Sequence, residues 1–379
     1  MATVAASLPS VPTHWLFTRD DLEHTPSVSG ASAGGVPSSP SRIMTQTISP
    51  SQERVLRGKG VHLIFKMGEF LQLPQHVLTT ACTFFHRFFM RKPLQISRSG
   101  PGWSHYEIAA TCVFLACKSE ESLRKLTAIV DAAMASLDKS PEGQVRWAER
   151  SFRANQASHE FLKWRDCILL HEETLLTTLC FELIVPQPHA VLVRAARLLH
   201  ADKPLARLAW TVLNDCLRDP VCILYDAPLL AAGAFRKACE TRGVDPAMFY
   251  AGRPDAERVP PEEAYLDWLD VFDVDEEEAQ DALDAINRDV YEFHGPQQQQ
   301  RAAPHGKATS RGDAARHESV SGSRKPPAVT DSAAEQRTEP PASTPAKREH
   351  PDTQPSPAPN GPAQPDGAPP QGSQPDGAP

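Results

Sequence analysis

Residues 108–121 read IAATCVFLACKSEE, and the rest of the fold can be read outward from them. Ile108, Ala109, Ala110, Cys112, Val113, Phe114, Leu115, Ala116 and Cys117 leave a helix here apolar on nearly every side. A helix hydrophobic all round is buried at the centre of a larger bundle. Lys118 ends it, placing a cation where the helix dipole favours one. Upstream, Val77, Leu78, Ala81, Phe84, Phe85, Phe88 and Phe89 recur at helical spacing, and Lys92-Pro93 closes that helix. A loop with Gly100-Pro101-Gly102 follows it. Earlier still, Leu56, Val61, Ile64, Phe65, Phe70 and Leu71 mark a helix that Leu73-Pro74 breaks. Downstream, Leu123 to Leu137 and Phe161 to Cys180 read as helices. Between them Asp138 to Ser158 is polar and carries Gly and Pro, so it reads as a surface insertion.

After Val185-Pro186 the pattern restarts. Ala190 to Leu199 and Leu205 to Leu217 read as helices. Ala227 to Cys239 is again Ala-rich and apolar all round, like the stretch at 108–117. Tyr265 to Phe272 and Ala279 to Phe293 complete the set, with 243–262 irregular. A helical unit is thus duplicated, without strong residue identity. Almost nothing alternates at period two, so the fold class is all-α. The expected boundaries are 51–184 for the first unit and 185–295 for the second. Residues 1–50 are expected to be flexible, with a short helix near 15–24 that Thr18 caps and Thr25-Pro26 ends. Gly30 to Pro40 reads as linker. Residues 296–379 hold a glutamine run, Pro, Ala, Ser and Gly, and Gln-Pro-Asp-Gly-Ala-Pro at 364–369 and again at 374–379. Such a tail buries too little apolar surface to offset its ordering entropy and is expected to be disordered.

Composition excludes several classes. The chain has 379 residues, 40% apolar, and a net charge of −8, which argues against a dedicated nucleic-acid binder. Its eight cysteines include no Cys-x-x-Cys pair, so no structural zinc site is expected. Neither a secretory leader nor an apolar run of membrane-spanning length is seen. A reducing compartment is expected. Gly30-Ala31-Ser32-Ala33-Gly34 has the spacing of a nucleophile elbow but follows no strand. His171-Glu172 begins like a zinc-protease helix, yet Leu175 stands where the second histidine belongs. With no phosphate-cradling loop either, the chain is not expected to be an enzyme, and no cofactor or metal is expected.

Several of these residues together resemble the cyclin family. Phe114 to Lys118 followed by Ser119-Glu120-Glu121 is similar to the cyclin-box signature. His86-Arg87-Phe88 resembles the family's Arg-Phe pair, and Glu172, Leu176, Leu179 and Phe181-Glu182-Leu183 its fifth helix and exit. Trp15-Leu16-Phe17-Thr18, Thr25-Pro26-Ser27 and Ala209 to Asp215 are similar to the transcriptional cyclins of the K and T type. The resemblance runs from Trp15 to Phe293. It implies two tandem five-helix cyclin-box domains and a nuclear, non-catalytic subunit. Such a subunit activates a cyclin-dependent protein kinase, here one acting on the C-terminal repeats of RNA polymerase II.

Lys118, Glu121 and Glu172 take the kinase-interface positions by this resemblance. Trp15 and Phe17 read as a hydrophobic N-terminal anchor, either on the chain's own surface or at the kinase. No direct nucleic-acid or membrane contact is expected. The sequence departs from cell-cycle cyclins in two places. Their apolar docking patch is not seen around Gly58 to His62, and His86 replaces their aspartate. A general transcription factor of the TFIIB kind also has a duplicated helical core. It would need a zinc ribbon and a basic DNA-facing surface, which this sequence lacks. Thr344-Pro345 and Ser356-Pro357 fit proline-directed phosphorylation.

Overall fold

The computed structural model describes residues 15–30, 47–96, 102–252 and 265–293. Several expectations fall outside them: most of the linker with its Ser32 motif, Gly100-Pro101, residues 253–262 of the irregular stretch, and the tail from 296 with its Ser/Thr-Pro sites.

The chain opens with short helices α1 (Arg19–Glu23) and α2 (Pro26–Ser29). Thr18 caps α1 reciprocally with Asp21. Then come α3 (Pro50–Leu71), α4 (Gln75–Arg91), α5 (His105–Ser119), α6 (Leu126–Leu137), α7 (Pro141–Ala148) and α8 (His159–Thr178). Ser49 accepts from the Gln52 N–H with Pro50 in the first turn, and Ser104 and Ser158 cap α5 and α8 in the same way. As its composition predicts, α5 is central and packs on α3, α4, α6 and α8. Close approach of α3 to α4 depends on two glycines: a Cβ on Gly60 would meet the Phe85 ring, and one on Gly68 the Leu78 side chain.

A second series follows: α9 (Pro188–Leu198), α10 (Lys203–Cys216), a 3₁₀ turn at Pro220–Ile223, α11 (Ala227–Arg242), α12 (Trp268–Phe272) and α13 (Glu276–Ala285). A π-helical segment, Ile286–Glu292, extends α13. The apolar helix α11 is its centre and packs on α9, α10, α12 and α13. The described residues form two hydrophobic cores, one around α5 and one around α11, with Cys222 packed against both.

Three expectations change. The 138–158 stretch is not merely a surface insertion, because Ser140 caps α7 and Phe152 is buried in the first core. The Ala154 N–H donates to buried Asp131 at 2.9 Å, fixing the return of the segment. Tyr265 does not begin a helix: β2 (Tyr265–Asp267) pairs antiparallel with β1 (Tyr250–Gly252), and the helix starts at Trp268. The N-terminal segment is anchored where it is described, since Trp15, Thr25 and Ser27 are each at most 3% exposed.

Charged residues tie the two cores together. Arg54 of α3 donates to Asp219 at 2.9 Å and to the Asp289 carbonyl at 2.7 Å, and Arg19 reaches the Asp289 carboxylate at 2.7 Å. His86 lies 3.1 Å by its Nε2 from the Leu217 carbonyl. Burial, aided by nearby Arg57, pushes the His86 pKa down to about 3. The ring is therefore neutral at pH 7 and can donate Nε2–H to that carbonyl.

Candidate functional site

The C-terminus of α5 and the outer side of α8 meet at one polar contact. Lys118 Nζ lies 2.7 Å from Glu172 Oε1 and 4.2 Å from the centre of the Phe114 ring. The lysine side chain is 44% exposed and the glutamate 16%. Glu172 is thus more covered than a solvated helix face would be, and its covering charge is Lys118. One carboxylate oxygen is engaged; Oε2 makes no hydrogen bond among the described residues.

Several apolar side chains of α8, its exit and the α5–α6 connection face outward. Leu169, Glu172, Glu173 and Leu176 recur at i, i+3, i+4 and i+7, so they share one strip of α8. Leu169 and Leu170 are exposed, and Leu123 is exposed on the α5–α6 connection. Phe181 and Ile184 are 66% and 69% exposed just past the end of α8. Phe181 is put outward by the backbone: Cys180 and Phe181 have φ of 53° and 59°, and the Phe181 N–H closes on the Leu176 carbonyl at 2.9 Å. Left-handed backbone at two successive non-glycine residues costs about 1–2 kcal/mol each.

The structure brings Lys118 and Glu172 together but leaves Glu121 outside the pair. Glu121 follows the helix with φ of 52°, is exposed, and its side chain has no hydrogen bond or ion pair among the described residues. Trp15 and Phe17 fold onto the chain itself. The Trp15 indole N–H donates to Glu182 Oε2 at 2.7 Å, and the buried Arg87 guanidinium lies 5.0 Å from the ring centre. Burial draws the Arg87 pKa down to about 10. The Phe17 N–H donates to the Ile223 carbonyl at 3.0 Å, carrying the segment to the 3₁₀ turn after α10. Sequence reasoning missed the exposed Leu123, Phe181 and Ile184. No apolar period flags a lone exposed side chain on a connection; at Phe181 the positive φ accompanies it, and at Leu123 and Ile184 only the exposure shows it.

Among the described residues no group of three or more His, Cys, Asp or Glu could hold a metal ion, and no helix is long and apolar enough to cross a membrane.

Residues 37–184 match the cyclin N-terminal domain family. The chain is 34% identical to cyclin pch1 of Schizosaccharomyces pombe over 241 residues, which cover 63% of this chain and 61% of that protein. It is 27% identical to cyclin-K of Homo sapiens over 234 residues, covering 61% of this chain and 34% of that one. The chain therefore spans less than two thirds of the length of these relatives. In fold it is similar to a chain of the yeast RNA Pol II CTD kinase CTDK-1 complex, with a TM-score of 0.52 and 15% identity over 78% of each chain.

Proposed function

We propose that this chain is a cyclin, similar to the transcriptional K and T types, that binds and switches on a cyclin-dependent protein kinase. In this reading the kinase phosphorylates the C-terminal repeats of RNA polymerase II, the complex is nuclear, and the chain supplies no catalytic group. Residues 51–184 and 185–295 act as the two cyclin boxes, and the tail from 296 is dispensable for activation.

The observation that carries the reading is the Lys118–Glu172 pair with its exposed apolar surround. A kinase is switched on when a mobile helix swings in to complete an internal ion pair. A docking surface biases that helix by offering partners that it has only in the active position. Here Lys118 has further N–H donors for carbonyls at a helix end, and Glu172 Oε2 can accept backbone N–H groups. Leu169 on the same strip of α8, with Phe181 and Ile184 at its exit, would add exposed apolar area to such a docking surface. Lys118 and Glu172 are already bonded to each other, so little side-chain ordering is left for the moment of binding.

Reconstitution tests this directly. The purified chain should neither hydrolyse ATP nor phosphorylate polymerase repeats. Mixed with an inactive transcriptional cyclin-dependent kinase subunit, it should form a stable heterodimer and raise phosphorylation of the repeats at least 100-fold. A form ending at Phe293 should do the same. Failure to bind or activate any such kinase would refute the proposal.

A further inference from the structure

A second surface lies away from the Lys118–Glu172 contact, where α9 runs beside the start of α4 and the middle of α10. It is a groove of about 640 Å³. Val193, Leu198 and Trp210 give it an apolar lining, and Arg194, Arg197 and His76 its polar groups. No carboxylate lines it, although the chain as a whole carries a net charge of −8. Trp210 is fixed by the buried His189 ring, 4.6 Å away between centres, and His189 in turn contacts Asn214 at 3.1 Å. Arg194 and Arg197 are exposed and three positions apart on α9, so their guanidinium groups emerge on one side about one turn apart. Arg197 makes no hydrogen bond or ion pair through its side chain among the described residues.

We propose that this groove docks a phosphorylated serine–proline segment of the protein that the bound kinase modifies. The phosphate would sit on Arg194 and Arg197, and the following proline ring on Trp210. The proposal rests on the kinase partnership proposed above and adds to it a second hold on the substrate. Charge complementarity selects the occupant. A guanidinium fork pairs with phosphate through two parallel bonds, and the three terminal oxygens of one phosphate can serve two such forks at once. A serine- and proline-rich segment is neutral until it is phosphorylated, so the groove distinguishes modified from unmodified chain. Nucleic acid does not fit, because a few basic groups around an apolar lining offer no track for a polyanion and the chain as a whole carries a net charge of −8. Once a substrate repeat has been phosphorylated, its retention here would raise the local concentration of the next repeats at the kinase.

Binding is measured on the full chain without any kinase, by fluorescence anisotropy. The probes are a labelled two-repeat polymerase peptide, its phosphoserine form, and a form with glutamate in place of each phosphoserine. The phosphorylated peptide should bind at least 10-fold more tightly than either other peptide, and more weakly as salt rises. Arg197→Glu, and Arg194→Glu with Arg197→Glu, should reduce that affinity at least 10-fold. Arg207→Glu, on α10 outside the groove, should leave it unchanged. All variants should keep helical circular dichroism and should activate the kinase normally on a short unphosphorylated peptide. Equal binding of all three peptides, or unaltered affinity in the Arg197 variants, overturns the proposal. So does dependence of binding on residues 296–379. Because no kinase is present, phosphopeptide binding by a chain that activates no kinase would fault only the kinase reading.

Discussion

Two pairs of opposite charge in this molecule, both made with a glutamate, have different surroundings. Arg57 and Glu53 sit 2.6 Å apart on α3 with side chains 1% and 2% exposed. Arg57 also donates to the His86 carbonyl at 2.9 Å, and the Thr25 hydroxyl donates to Glu53. Lys118 and Glu172 are 2.7 Å apart but lie at the surface, with a single bond between them. The buried pair is saturated by its own chain and serves architecture, tying α2, α3 and α4. The surface pair leaves donors and an acceptor unspent beside exposed apolar side chains, and recognition is the role proposed for it. Burial and the number of partners already made separate these roles; the residue types do not.

The comparison is broken most forcefully at the buried pair. Arg57→Leu should destabilise the fold by about 3–5 kcal/mol, because it leaves the Glu53 charge without its cation. Replacing both, Arg57→Leu with Glu53→Leu, should cost clearly less than the two single changes added together. Urea denaturation of the three variants checks this, and strict additivity would show that the two residues act independently.

A smaller effect is set by the buried histidine that Arg57 adjoins. The His86 pKa lies near 3 in the folded chain, against about 6.5 when unfolded. Below pH 6.5 the unfolded chain therefore binds a proton that the folded chain refuses, and stability falls as pH drops from 6.5 toward 3. By pH 5 the loss is about 2 kcal/mol from this group alone. His189, drawn down to about 4 by burial, adds a loss of the same sign. His86→Gln can keep an amide donor at the Nε2 position toward the Leu217 carbonyl and removes the titration, so its stability should vary less between pH 7 and pH 5.

The smallest effect on stability belongs to the surface. Phe181→Ala should change the unfolding free energy by less than about 0.5 kcal/mol, since the ring is mostly exposed. It should still weaken kinase binding about 10-fold or more, which titration by biolayer interferometry would show. A loss of stability without a loss of binding would move Phe181 out of the recognition surface.

The parts of this arrangement legible in the sequence are those encoded locally. The all-apolar stretches at 108–117 and 227–239 are the two central helices, and Thr18 does cap α1. Prolines misled the reading of 138–158. Pro141 was legible as a breaker, whereas after the Ser140 cap it occupies the first turn of α7, where its missing N–H costs nothing. Pro26 and Pro188 hold the same position in α2 and α9. The three-residue strand at Tyr265 is too short for alternation to register. Lys118 and Glu172 are candidates by family resemblance, but their contact joins positions 54 apart, which no local pattern encodes. The Arg54 contacts to Asp219 and Asp289 span still greater separations and went unseen for the same reason.

The surface pair is tested most directly by reversing it. Lys118→Glu, Glu172→Lys and the double exchange are compared with a Lys59→Glu control for melting temperature and for kinase affinity. An exposed pair contributes about 0–1 kcal/mol to folding, so each variant should melt within a few degrees of the parent. At a desolvated interface each single reversal should cost about 2–5 kcal/mol of binding, or roughly 30- to several-thousand-fold in Kd. The double exchange restores the internal ion pair but presents the wrong charges to the kinase, so it should bind as poorly as the singles. Normal kinase binding by the double exchange, or by both single variants, would show that these two charges hold only each other and that the kinase docks elsewhere.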